Sequence, residues 1–179
     1  MQPKLVVDQH IHLQPVTVAD APALFQLVHQ NRANLDTWLT WVADIESVAD
    51  ELSFLKYAQQ QMAHQALWMA TIWKDHQLVG MIDVHNIDNL HRTGEVGYWL
   101  DEAFRGQGIM HRAIAAIERY AASELELDQL SIVVAHDNVA SQQVALNAGY
   151  QAMETLNGAT FVDHQLQDAT RYQKQLGSA

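Results

Sequence analysis

The stretch from Gly94 to Ala122, GEVGYWLDEAFRGQGIMHRAIAAIERYAA, constrains the fold more than any other. Val96 to Leu100 reads as a short strand. Arg105-Gly106-Gln107-Gly108 reads as a tight turn, and a helix starts directly after it. Met110, Ala113, Ile114, Ile117 and Ala121 recur at helical spacing, so one face of that helix is buried. A strand that feeds a glycine turn at a helix N-terminus is a device for holding a phosphate. The first N–H groups of a helix lack intrahelical partners, and the macrodipole adds partial positive charge there. Glycines let the backbone come close to the anion. No Gly-Lys-Ser/Thr follows, so this is not an NTPase loop, and the dinucleotide fingerprint would need a third glycine. An ordinary strand–helix connection stays open as the alternative here.

The rest of the sequence bounds the class. A chain of 179 residues fits one domain, 1–179, with room for a core. Hydrophobic residues make up 49% and charged residues 17%, the balance of a globular protein. Ten Lys and Arg against 21 Asp and Glu give a formal charge of −11. That field repels phosphate backbones, which argues against nucleic-acid binding; it favours amines or basic tails as partners, with plain solubility of the surface as the simpler reading. Cysteine is absent, so there is no disulfide framework, thiolate nucleophile or Cys-containing metal site. No apolar run is long enough to span a membrane and the N-terminus lacks a signal-peptide core, so a cytoplasmic location is expected.

Local patterns supply the elements. His10 to Val16 alternates as a strand, with His10 and His12 on one face. Without a carboxylate at matching spacing, the pair reads as a solvated face, and no metal is expected. Asp20 is placed to cap a helix with Pro22 in its first turn and Leu24, Leu27, Val28 and Leu35 on its inner face. Trp38 and Trp41 lie close together after it, either as core or as a binding wall. Ser47 and Asp50 begin a second helix whose inner face takes Val48, Leu52, Leu55 and Met62. Leu67–Trp73 and Gln77–Val84 read as strands around the turn Lys74-Asp75-His76, with His85 ending the second.

Along Val96–Leu100, Glu95, Gly97 and Trp99 share one face and Val96, Tyr98 and Leu100 the other. Glu95 is a carboxylate on that strand and a candidate general base. Gly97 suits a bulge. His111, in the first turn of the glycine-led helix, would sit near a bound phosphate. Gln129–Ala135 is a buried strand. Asn138 caps a helix that ends at Gly149, with Val144, Ala145 and Ala148 inward. Tyr150–Leu156 and Thr170–Leu176 close the chain, with Asn157-Gly158 as the turn signal.

These residues resemble a known family. Arg105 and Gly108 match motif A of the GNAT N-acetyltransferases, Arg/Gln-x-x-Gly-x-Gly/Ala, with Met110 departing at the last position as in the RimJ/RimL branch. Asn138, Ser141, Gly149 and Tyr150 match motif B. Leu35-x-x-Trp38-Leu39-x-Trp41 and the LVGMIDVHNID stretch resemble the same branch, and the likeness runs over residues 10–176. The resemblance implies an α+β fold, a mixed sheet of six to seven strands with about four helices, splayed between strands four and five. It implies acetyl transfer from acetyl-CoA to a primary amine, most naturally the N-terminal Ser or Ala amine of a ribosomal protein. Polyamine or aminoglycoside acetylation, or a non-catalytic acyl-CoA-binding module, are the alternatives.

The family's coenzyme would lie on the backbone of Gly106, Gln107, Gly108, Ile109 and Met110 beside Arg105, and on Trp99, Leu100, Asn138 and Ser141. Ser141 would assist the leaving thiolate, because Ala145 stands where many members carry a tyrosine acid. Trp38, Trp41 and His85 would face the acceptor. Relatives are often dimers, so the resemblance is compatible with a homodimer, while the sequence itself does not give the subunit number.

Overall fold

The apolar residues that alternate along the chain end up on the two faces of one twisted sheet, each face covered by a pair of helices. The computed structural model describes residues 4–177. The strands are β1 (Leu5–Val6), β2 (Ile11–Pro15), β3 (Trp68–Lys74), β4 (Gln77–Asp88), β5 (Thr93–Leu100), β6 (Gln129–Ala135), β7 (Gln151–Val162) and β8 (Gln165–Gln175). The helices are α1 (Ala21–Leu35), α2 (Val48–Ala63), α3 (Ile109–Ser123) and α4 (Val139–Asn147). Spatial order is β1-β2-β3-β4-β5-β6-β8-β7, and every neighbouring pair is antiparallel except β5–β6. This is the mixed α+β sheet expected. The added edge strand β1 makes eight strands, so the parallel pair is β5 and β6.

The two faces hold two cores. Ile72, Ile82, Val96 and Leu100 pack with Ile114 and Ile117 of α3 on one side. Met69, Met81 and Trp99 pack with Leu24 and Val28 of α1 and Leu55 of α2 on the other. Ile114 and Ile117 are wholly buried, each worth roughly 1.5–3 kcal/mol of transfer free energy. Ser47 caps α2 as expected, its Oγ accepting from the Asp50 N–H at 3.3 Å and donating to Asp50 Oδ2 at 2.7 Å.

Several local expectations are corrected. Asp20 does not cap α1. Its Oδ2 accepts from Thr17 N at 2.6 Å and Thr17 Oγ1 at 3.0 Å, which closes the short 3₁₀ turn Val18–Asp20 ahead of the helix. Val48 is exposed, because as the first residue of α2 it lies beyond the cover of α1. Asn157-Gly158 is not the final hairpin turn. Asp163 and His164, with φ of 47° and 62°, make the two-residue turn, and Asn157-Gly158 sits within a register shift of β7 between Leu156 and Thr160. Two left-handed residues match the right-handed twist of the flanking strands. His85 does not end β4, which runs on to Asp88.

His10 and His12 have separate neighbours. His10 Nδ1 lies 2.6 Å from Asp75 Oδ1, and the His12 ring stacks on Trp73 at 6.0 Å between centroids.

Candidate active site

β5 is where the sheet comes apart. It follows β4 up to Leu100, which lies opposite Gly80. It meets β6 only at Thr93, Gly94 and Glu95, opposite Gln129, Leu130 and Ser131. Past Glu95 the strands diverge around a cleft of about 670 Å³. Val96–Leu100 form one wall and Ile132–Ala135 the other, with Asn138 and Ser141 of the α4 start and Gly106 and Gly108 of the turn before α3. A parted strand offers peptide groups to any guest that can pair with them as a strand would.

Gly97 is no bulge. It pairs in register with Asp83, and the irregularity falls in β4 between His85 and Asp88, where Asn86 takes φ 49°. Glycine serves here by its missing side chain, since a Cβ would lie 2.9 Å from Asp83 Oδ2.

At the turn before α3, Gly108 stands at φ 69° as the residue that starts the helix. The conformation favours glycine, and the N–H groups that follow point into the turn without helical partners. Ile109 and Met110 are buried at the start of the helix, beside the cleft. The Arg105 guanidinium bonds Asn34 Oδ1, tying the turn to α1. The Gln107 amide donates to Ala103 O at 3.3 Å. His111 is exposed and lines the cleft. Arg112, which the sequence reading passed over, donates from Nη2 to Gln107 O at 3.3 Å and from Nε to Asp8 Oδ2 at 3.1 Å. Its place four residues after Gly108 on the helix start was the available signal.

Glu95 stands at the fork, on the α1/α2 side shared with Trp99. His85 lies directly opposite it on β4. His85 donates from Nε2 to Glu95 Oε1 at 3.2 Å and from Nδ1 to Asp83 Oδ1 at 2.6 Å. Burial pulls the imidazole's pKa down, but the two carboxylates outweigh it and carry it to about 10. At neutral pH this is an imidazolium held between two acids. His85 and Glu95 are not among the cleft's walls; they sit where those walls meet.

Trp38 lines the cleft. Trp41 stands behind it, 6.5 Å from Trp99 and stacked on Phe54 at 6.5 Å between centroids. Arg32 holds that arrangement: it donates to Val42 O at 2.6 Å and to Ile45 O, pinning the turn Thr40–Asp44 to α1.

On the opposite side of β5, Asn138 caps α4, its Oδ1 accepting from Ser141 N at 3.1 Å. Its NH₂ group is the part left to face a ligand. The Tyr98 hydroxyl lies 2.9 Å from Ser141 Oγ and 3.3 Å from Ser141 O. Burial raises the phenol to about 12 against the opposing pull of the Ser141 hydrogen bond, so it stays neutral. The sequence reading placed Tyr98 on this face without a role.

The hairpin between β7 and β8 reaches over to the chain leaving α1. Asp163 N donates to Thr37 O at 2.9 Å, and His164 Nε2 lies 3.2 Å from Asp36 Oδ2. Thr160, three residues back on β7, lines the cleft.

Known proteins share this arrangement. A family model described as "Acetyltransferase (GNAT) domain" matches residues 10–151. The chain is 31% identical, over 99% of each sequence, to the ribosomal-protein-serine acetyltransferase of Escherichia coli (strain K12). RimL, a ribosomal L7/L12 alpha-N-protein acetyltransferase solved in complex with coenzyme A, has the same fold: TM-score 0.95 at 24% identity, covering 99% of this chain and 100% of that one. The microcin C7 self-immunity acetyltransferase MccE, solved with acetyl-CoA and AMP, gives 0.89 at 26% identity over 94% of both chains. With its glycine turn, its parted parallel strands and these relatives, the chain belongs to the GNAT acetyltransferase family and is an acetyl-CoA-dependent N-acetyltransferase.

Proposed function

We propose that the acceptor is the N-terminal amine of a ribosomal protein, beginning with Ser or Ala, and that transfer is direct within a ternary complex. The observation that carries this is Glu95 at the fork of β5 and β6, on the face walled by Trp38 and backed by Trp41. A chain terminus arriving on that face brings its ammonium group to a carboxylate beside the thioester. The net charge of −11 favours a cationic acceptor, and the 31% identical relative is named for acetylating a ribosomal-protein serine. The relatives also favour a cytoplasmic setting, where such acceptors are made.

Each step falls to residues already placed. Backbone N–H groups from Gly106 to Met110 hold the pyrophosphate, with Arg105 keeping the turn in place. Backbone groups of Trp99 and Leu100, with the Asn138 amide, hold the pantetheine arm and polarise the thioester carbonyl. Glu95 takes the proton from the ammonium group, directly or through a water, and the amine forms its bond to the acetyl carbon. The C–S bond breaks, and its electron pair leaves with sulfur beside Ser141. His85 acts on the acceptor side by fixing one oxygen of Glu95, which leaves the other for the amine.

The test is release of coenzyme A, followed with a thiol reagent. The chain has no cysteine, so the reagent reads only the product. A Ser-starting ribosomal-protein peptide should release the thiol. Glu95→Gln should lower kcat by about 100-fold, within the range of general-base catalysis, with the Kd of acetyl-CoA changed less than twofold. Full activity in that variant would remove Glu95 from the mechanism. Release only with polyamines or aminoglycosides would move the acceptor to a small amine. Silence with every acceptor, while acetyl-CoA raises Tm, would favour a binding module. Light scattering of the same sample reads whether the protein is a homodimer.

A further inference from the structure

The acceptor side of the fork has a carboxylate, and the side of the cleft formed by the α4 start offers hydroxyls. α4 carries Ser141 and, one turn later on the same face, Ala145, which is wholly buried. No phenol comes from α4. One comes instead from across the cleft: Tyr98 on β5 places its hydroxyl 2.9 Å from Ser141 Oγ. Both residues line the cleft between the parted strands. Tyr98 lies three residues past Glu95, on the opposite face of β5, so base and hydroxyl pair flank the same gap from two sides of the sheet.

We infer that Tyr98 is a positioning residue for the leaving group: it holds the Ser141 hydroxyl so that the serine proton is aimed into the gap, at the sulfur of the departing coenzyme. The inference rests on the acetyl-transfer reading above. In this arrangement Tyr98 O–H donates to Ser141 Oγ, and Ser141 O–H donates to sulfur. As the C–S bond breaks, sulfur takes the electron pair and a charge-assisted hydrogen bond from Ser141, which strengthens as negative charge grows. No proton needs to be transferred. A phenol near 12 is a much weaker acid than an ordinary thiol, about 8.5. The thiolate therefore accepts hydrogen bonds from the pair without deprotonating it. Tyr150, the titratable neighbour on this side, is raised by burial first and by Glu118 second, and stays neutral. The pair thus stabilises the leaving thiolate where other members of the family would protonate it.

The experiment uses the whole chain with coenzyme A alone and then with acetyl-CoA and the Ser-starting peptide. Tyr98→Phe keeps the ring and its packing and removes one hydroxyl. The ultraviolet absorbance of the bound coenzyme's thiolate is titrated with the protein's own titration subtracted; no protein thiol interferes, because there is no cysteine. The thiol's ionisation constant on the wild-type protein should exceed that on Tyr98→Phe and on Ser141→Ala by about tenfold, the scale of one hydrogen bond to a charged group. With acetyl-CoA, kcat should fall about tenfold in each variant, and the double variant should be no slower than Ser141→Ala.

Identical thiol titrations in wild type and Tyr98→Phe overturn the inference. So do losses that multiply in the double variant. A Tyr98→Phe protein with lower Tm and weaker acetyl-CoA binding but an unmoved thiol titration would show a packing role only, and would also overturn it. The thiol titration needs no acceptor, so it decides the inference even if no peptide is acetylated and the acceptor reading fails.

Discussion

Two acids of this chain, Glu95 half-buried and Glu51 buried, have opposite surroundings, and the contrast decides what each can do. Glu95 faces the imidazolium of His85 and keeps an oxygen free. Glu51, 2% exposed on the first turns of α2, meets no hydrogen-bond partner at Oε2 among the described residues. Burial pushes its carboxyl up to about 7. A carboxyl raised above its unfolded pKa of 4.5 binds its proton more tightly in the folded state. Stability is therefore highest below 4.5, declines as pH rises, and is lowest above 7, by about 3 kcal/mol at most. Glu51→Gln removes the ionisation and keeps the shape. Urea denaturation should find little difference at pH 5 and a more stable variant at pH 8; equal curves at pH 8 would mean Glu51 is solvated there. At this scale the sequence singled out residues that the fold brings to the fork and the cleft, because Asn138 and Ser141 belong to a motif with fixed spacing and Glu95 lies on the strand that leads into the glycine turn. It did not show the partners. Asp83 with His85 and Tyr98 with Ser141 are meetings between elements, and the second spans 43 positions.

The elements were legible where one period dominates. α3 carries its apolar stripe without interruption, and β6 is the continuous apolar run read from the sequence. The last hairpin was misread because Asn-Gly is a strong local turn signal and tertiary structure overrode it. Carrying the turn to Asp163-His164 lengthens the pairing of β7 with β8 and lets the tip dock on Thr37. The turn before α3 was legible because its backbone makes a demand that glycine meets best. Gly108 is needed for its left-handed φ of 69°. A Cβ there would meet nothing closer than Arg112 Nη1 at 3.6 Å, so Gly108→Ala is strained in its backbone and unobstructed in space. Calorimetry should show acetyl-CoA binding weakened about tenfold with Tm lowered by a few degrees, for a cost of about 1 kcal/mol in strain. Unchanged affinity would place the phosphate elsewhere.

At the scale of the whole molecule, one parallel pair in an otherwise antiparallel sheet creates the site. The sheet order could not be read from composition or periodicity, since parallel and antiparallel neighbours leave the same apolar pattern on a strand buried on both sides; family likeness supplied it. The contact between the β7–β8 hairpin and the chain leaving α1 has a further effect. Trp38 and Thr160 line the cleft, and the segments next to them, Asp36–Thr37 and Asp163–His164, are tied to each other. Two stretches of chain, whose paired residues stand 126 and 128 positions apart, thus meet beside Trp38 and Thr160 and form a rim on that side of the cleft. Such a rim sorts acceptors by topology before chemistry. A loose chain end can be threaded through it, whereas a lysine standing on a folded surface arrives with its surroundings attached. An N-terminally blocked, folded protein rich in surface lysines should remain unacetylated by mass spectrometry under conditions that modify a free Ser-starting terminus. Acetylated lysines on that protein would mean the rim opens in solution, and that selection for a terminus is made by the pocket's contacts instead of its outline.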